Sequence, residues 1–293
     1  ADFRESRRWQ RDAGKWFREY LYDGFYPDGL YKELTLGYTS SVSAQASRTA
    51  YALRDVPGID ETRERLSKMV TALIALVKPM GDLPAFGDGP SRPLSLVLYE
   101  PLVKLLEIPW MSALLAAELD GAARSGVGWQ SWAQRTGPIV GWLRERAGGT
   151  GPEPPFTEWP EPEQEAWGGY YSMRSDWSRN AAYLMIDGGP WGTTHRHMDR
   201  LSFVLSAFGA DFITDPCNTK YASNEPEARL SMLNAGFLHN TITVDGVDEF
   251  VGDMSECEGR APLDNIWETG EGYTLFEGRF DFDPVKDVRW TRR

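Results

Sequence analysis

Two imidazoles one residue apart, His195 and His197 in the stretch WGTTHRHMDRLSF (residues 191–203), are the first sign of chemistry in a 293-residue chain that holds three histidines in all. If the stretch opens a strand, positions i and i+2 share a face and the two rings project side by side. Such a pair can share a metal ion, or divide the work between a ligand and a base. Zinc takes imidazole and carboxylate in a tetrahedral shell, so further ligands must come from elsewhere. Asp215 in ITDPC, at the end of the strand expected after the motif, and His239 in FLHNTITVDG, opening the next, are the natural suppliers. A lone histidine is more often a hydrogen-bonded core residue, but three of them within 45 residues around strand ends read as a site. Asp199 would orient a ring or cap the strand, since ligating imidazoles carry an outer acceptor.

The elements that must position these residues change character along the chain. From residue 4 to about 148 the apolar spacing is helical; Leu66, Met69, Val70, Leu73, Ile74 and Val77 form one buried stripe. Similar stretches cover Trp9–Leu21, Val42–Leu53, Leu94–Leu119 and Trp129–Arg146, with Pro101, Pro109 and Pro138 cutting or kinking the longer ones. Residues 148–168 are rich in Pro, Gly and Glu without any period and predict a linker. Beyond it YYSMRSDW, AAYLMIDGG, LSFVLSAFGADFITD, NTITVDG and YTLFEGRFDF alternate as strands, with turns at Asp187-Gly188-Gly189 and Asp245-Gly246. Helices followed by strands, without βαβ alternation, predict an α+β chain: an all-helical domain over 1–150, a linker over 151–168 and an antiparallel sheet domain over 169–293.

A chain of this length with 41% hydrophobic residues can bury a large core. No apolar run reaches the length of a membrane span, since MVTALIALVKPM is cut by Lys78 and Pro79. Forty-three acidic against 31 basic residues, a net charge of −12, argue against a general nucleic-acid or anionic-membrane surface, though not against an anionic ligand in a locally basic cleft. Cys217 and Cys257 could pair in an oxidising compartment, but two scattered cysteines in so large a domain are more often separate. No signal peptide opens the chain, and its last residues read as a strand cut in the middle, so a fragment of a longer protein is expected.

Taken together, MRSDW, AAYLMIDGGPWGTTHRHMDRLSFVLSAFGADFITDPCNTKY and LHNTITVDG resemble the signature of the heparinase II/III-like polysaccharide lyases, which include oligo-alginate lyases. The helical half adds FYPDGLYKELTLGY and LPAFGD, similar to that family's acidic-to-tyrosine stretch and its P-x-x-G-D element. The resemblance implies an incomplete α/α toroid packed against a sandwich-like antiparallel β domain, with the cleft between them. It implies cleavage of uronic-acid-containing poly- or oligosaccharides by β-elimination, with Tyr38 and His195 as the acid–base pair and a structural zinc on His197, Asp215 and His239. Arg196 and Arg200 would bind uronate carboxylates, and Tyr221 and Asn240 match cleft positions. Glu33, five before Tyr38, is expected to play a structural part. The family's upstream Asn or His group, which helps neutralise the substrate carboxylate, has no match in residues 1–37 and is expected before residue 1. A periplasmic or secreted location goes with the resemblance.

Other classes stay open on the residues alone: a non-catalytic carbohydrate-binding module of the same fold, or a zinc-dependent hydrolase whose ion carries a nucleophilic water. The sequence carries no code for the particular uronate chain.

Overall fold

The first helix, α1 (Ser6–Gly24), buries Phe17 and Leu21 beside Gly14 and leaves its arginines and lysine on the outer side. A side chain at Gly14 would stand 2.7 Å from Val56, so the glycine sets how closely the helix lies. This is a computed structural model, describing residues 4–125, 168–195, 197–217, 235–249, 265–281, 285 and 287–293. The predicted helix Trp129–Arg146, the linker, Arg196, Tyr221 and Cys257 lie outside those residues.

Helix α2 (Leu36–Ala52) starts six residues before the predicted Val42, because the Thr35 hydroxyl accepts the Tyr38 N–H at 3.3 Å and caps the helix. Its interior is built from small residues, and Gly37, Ser40, Ser43, Ala44, Ser47 and Ala50 are buried. Buried hydroxyls need partners, and Ser47 donates to the Ser43 carbonyl four residues back. Helix α3 (Arg63–Leu76) buries the predicted stripe from Leu66 to Ile74. Strands β1 (Asp82–Leu83) and β2 (Arg92–Pro93) form a short antiparallel pair around the 84–91 turn. The predicted Leu94–Leu119 segment divides into a 3₁₀ turn (Leu96–Tyr99), α4 (Glu100–Leu106) and α5 (Pro109–Ser125). Proline at the head of α5 has no N–H to continue α4 and disfavours helical backbone at Ile108.

Four strands, β3 (Tyr170–Arg174), β4 (Tyr183–Asp187), β5 (Phe203–Ala207) and β6 (Ala210–Ile213), form one antiparallel sheet in that order. A second sheet holds β7 (Ile266–Gly270), β8 (Tyr273–Asp281) and β9 (Arg289–Arg292). In the first sheet Tyr171 pairs with Ile186 and both face the second sheet, joining Leu201, Phe276 and Phe280 in one apolar cluster. The opposite face carries Tyr170, Tyr183, Met185 and Val204, which join Leu66, Leu73 and Phe86 in the main core. The helices and the first sheet therefore share a core. The mixed helical and antiparallel character matches the sequence expectation.

The helix-facing side of the sheet is partly polar, and its polar groups meet the end of α3. The last carbonyls of a helix have no partners within it. Here Ser172 Oγ donates to the Ala75 carbonyl, Tyr183 Oη to that of Leu76, and the Arg174 guanidinium to those of Ala75 and Val77, all at 2.6–3.0 Å. Arg174 also stacks 3.7 Å from the Trp177 ring centroid. Lys78, just past the helix, pairs with Asp211 of β6 at 2.8 Å.

The predicted strand NTITVDG is not formed, and the histidine stretch precedes its strand, β5, without opening it. The described residues between 191 and 202 run as a loop, with His195 and Leu201 in left-handed backbone at φ of 57° and 58°. His195 and His197 thus do not project together from one strand face. NTITVDG forms only an isolated bridge between Val244 and Val247, around the expected Asp245-Gly246 turn. Asn240 supplies the reason, since its side-chain amide donates to the Phe203 and Thr214 carbonyls and its backbone N–H to Ser202 Oγ.

Asp28 joins the helical layer to the start of the first sheet, accepting the Leu30 N–H at 3.1 Å and the Gly168 N–H at 2.8 Å. Burial pushes its carboxyl up to about 6, against the opposing pull of those N–H groups. The native carboxyl then holds its proton more tightly than the unfolded one, so this stabilisation is complete below the ordinary value near 4 and is lost as pH rises through about 6. Urea unfolding from pH 4 to 7 should show stability falling with pH, and Asp28→Asn should flatten that fall by roughly 1–3 kcal/mol. An unchanged slope would remove Asp28 from the account.

Candidate active site

Three loops converge where the helical layer meets the first sheet. Thr193 N–H donates to the Lys32 carbonyl at 2.9 Å, and the Tyr170 hydroxyl donates to that of Leu34. The third loop, residues 86–89, touches the histidine segment through Asp88 N–H, which donates to the His195 carbonyl at 3.1 Å. A Cβ at Gly87, whose φ is 54°, would lie 2.6 Å from that carbonyl oxygen. Only glycine allows this approach.

The loops bring Tyr38 and His195 into a stack, 4.5 Å between ring centroids and 28° between planes. His195 Nδ1 lies 2.8 Å from Asp88 Oδ2, and its Nε2 is 3.9 Å from Glu33 Oε2. Glu33, expected to be structural, therefore stands at the site. Glu33, Tyr170, Asp187, His195, His197 and Asp199 line one narrow pocket.

His197 is fully buried and turns the other way from His195. Its Nε2 meets Asp88 Oδ1 at 3.0 Å, while its ring lies 4.9 Å from that of His239. His239 Nδ1 is 2.7 Å from Asp215 Oδ2, and Asp215 Oδ1 accepts the Cys217 N–H at 3.0 Å. One ligand atom each from His197, Asp215 and His239 can be chosen so that all lie within 4.8 Å of one another. Within this group His197 Nδ1 is buried without a hydrogen-bond partner. Such an orphan is costly unless something accepts its lone pair, and a cation would do so. The imidazole–carboxylate–imidazole set fits zinc chemistry, and Asp88 behind His197 is the outer acceptor that ligating histidines generally have.

Arg200 and Asn240 are placed differently from the expected substrate contacts. The Arg200 guanidinium lies between the rings of Trp191 and Phe280, 4.0 and 4.3 Å from their centroids. Its Nε reaches Glu249 Oε2 at 3.3 Å, and Trp191 Nε1 donates to Oε1 of the same carboxylate at 2.6 Å. With 8% of Arg200 exposed, the fork is committed inside the protein, and Asn240 is likewise spent on carbonyls of two neighbouring segments. Burial pushes Glu249 up to about 7 despite Arg200 beside it. Burial raises Asp187 well above the usual carboxylate range, with Asp199 adding to the effect, and raises Asp199 against the pull of His239 and His197.

Sequence reading missed Asp88 and Glu249. LPAFGD was recognised as a motif, but nothing in it states that one carboxylate reaches two histidines. Glu249 gave no signal, because its partners Trp191 and Arg200 stand 58 and 49 residues away. Removing one partner of a buried ion pair leaves the other charge uncompensated. Glu249→Ala should therefore lower the unfolding free energy by about 3 kcal/mol in urea titration. A loss below about 0.5 kcal/mol would mean the pair does not hold this wall.

The heparinase II/III-like C-terminal family profile matches residues 163–284. A heparin-sulfate lyase of Pedobacter heparinus is 27% identical over 103 residues, which are 35% of this chain and 14% of that protein. A solved heparinase III gene product superposes with a TM-score of 0.67 at 16% identity, over 99% of this chain and 40% of its own. The structure of heparan sulfate lyase HepC from Pedobacter heparinus gives 0.63 at 19% identity, over 97% and 39%. The chain thus spans about two fifths of these solved relatives, and at such identities the likeness is one of fold. Residues 163–284 thus carry the heparinase II/III-like C-terminal profile, and the fold of the chain is similar to that of solved heparinases.

Proposed function

We propose that the chain forms the cleft of a polysaccharide lyase that breaks uronic-acid-containing glycans by β-elimination. The observation that carries the reading is the stack of Tyr38 on His195 at the junction of the helical layer and the sheet. Elimination removes the weakly acidic C5 proton of a uronate and expels the O4 glycosidic oxygen, leaving a 4,5-unsaturated sugar. It needs an acid, a base and a group that offsets the neighbouring carboxylate. Tyr38 serves as the acid that protonates the departing O4 and, for one C5 epimer, also as the base. His195 serves as the base or as the donor facing the substrate carboxylate. Arg196 and Tyr221 are assigned the remaining substrate contacts, whereas Arg200 and Asn240 are committed to contacts within the protein.

His197, Asp215 and His239 would hold zinc, supported by the orphaned Nδ1 of His197 in their midst. Bound there, zinc supplies a cross-link between loops and positive charge at the cleft wall. Activation of a water is not required, since elimination consumes none. The helices belong to an incomplete α/α toroid, and the two facing sheets to the sandwich-like domain. The similarity to a heparin-sulfate lyase and a heparan sulfate lyase favours a sulfated glycosaminoglycan over alginate as substrate class. A periplasmic or secreted location accompanies that reading.

Incubation with heparan sulfate and with alginate separates the possibilities. A lyase generates the ultraviolet absorbance of the unsaturated uronate, a hydrolase generates reducing ends without it, and a binding module generates neither. Tyr38→Phe should cut turnover at least about 100-fold with zinc content unchanged. Full activity in that variant would sink the assignment. His197→Ala should lower both zinc stoichiometry and melting temperature, since the binding energy of a structural ion adds to folding. Wild-type stoichiometry in His197→Ala would exclude the residue as a ligand.

A further inference from the structure

We infer that Asp88 is a positioning residue that sets His195 and His197 in opposite tautomers, and so joins the proposed acid–base histidine to the proposed zinc ligand through a single carboxylate. This rests on the functional reading above. Its geometry stands independently: Asp88 Oδ2 is 2.8 Å from His195 Nδ1, and Oδ1 is 3.0 Å from His197 Nε2. The Asp88 side chain is 4% exposed, so water does not compete for these contacts. Its own backbone N–H adds a third bond, to the His195 carbonyl at 3.1 Å.

An ionised carboxylate accepts hydrogen bonds and donates none, so each ring nitrogen facing it carries a hydrogen. For His195 this places the hydrogen on Nδ1 and leaves Nε2 as the nitrogen directed to Glu33 and the pocket. For His197 it places the hydrogen on Nε2 and leaves Nδ1 as the lone pair. That is the buried atom without a partner, in the group with Asp215 and His239. One residue thus selects the free nitrogen of each ring, and the two free nitrogens serve different ends. The backbone bond matters as well. His195 sits at φ 57°, a conformation unfavourable for a residue with a Cβ, and Asp88 and Gly87 supply contacts that hold it there. Asp88 belongs to the helical layer, between β1 and β2, so the tautomers are set from across the junction.

With three histidines in the chain, ¹⁵N-histidine NMR of the metal-free protein gives a spectrum of three rings. The expected result is hydrogen on Nδ1 of His195 and on Nε2 of His197, assigned with His195→Ala and His197→Ala. The reverse pattern at either ring would overturn the inference, whether or not the protein proves to be a lyase. In Asp88→Asn the amide oxygen accepts from one ring only and the NH₂ faces the other, so one imidazole should change tautomer. Zinc affinity by chelator competition should fall about 10- to 100-fold, and kcat should fall more than KM rises. A folded Asp88→Asn that keeps both tautomers, zinc affinity and kcat would overturn the inference equally. Failure of the lyase reading would instead show as absent product with the tautomers as expected.

Discussion

A helix that ends inside a protein must find donors for its last carbonyls, and here those donors stand on a β-sheet. Ser172, Arg174 and Tyr183 all project from the same face of β3 and β4, and all three reach the final turn of α3. The bonds fix the sheet against the helices in rotation as well as in distance, which apolar contact alone does less well because it has no direction. With the sheet seated, the loop after β4 runs against the helical layer. It passes over residues 32–35 and meets the 86–89 turn, and the imidazoles arrive beside Tyr38 and Asp88 as a consequence.

Below that junction the molecule concentrates carboxylates. Asp187, Asp199, Asp215 and Glu249 are all buried, and each is held by a compensating group or carries a raised proton affinity. Desolvated charge is unfavourable, so such a cluster persists where backbone donors, Arg200 and the imidazoles offset it. The arrangement also explains why Arg200 points inward. Flat aromatic rings on both sides and Glu249 at the edge satisfy its guanidinium more fully than an exposed rim would.

The sequence was legible where burial is periodic or chemistry is rare. The Leu66–Val77 stripe located α3, the change of period separated helices from strands, and the scarcity of histidine marked the site. The helix break at Pro109 was legible from proline itself. Less visible were features that depend on distant partners. The sequence left open whether the histidine stretch precedes or opens a strand; left-handed backbone at His195 and Leu201 and a bond from Asp88 make it a loop that precedes one. NTITVDG alternates like a strand, yet Asn240 spends its hydrogen bonds on Ser202, Phe203 and Thr214. Arg200 looked like an anion-binding side chain because type and neighbourhood were readable, while its aromatic surroundings were not. Asp88 sat in a recognised motif without any sign of which side chains it would meet.

The division of labour across the junction has an evolutionary corollary. Glu33, Tyr38 and Asp88 come from one stretch of the gene and His195, His197, Asp215 and His239 from another, yet Asp88 reaches both imidazoles at 2.8 and 3.0 Å and Tyr38 stacks on His195. Recombination between diverged relatives at any crossover from codon 88 to codon 195 would pair halves that had drifted separately. Because the helices and the first sheet share one core, such a pairing would disturb the packing together with the imidazoles, so the two stretches are expected to be inherited as a block.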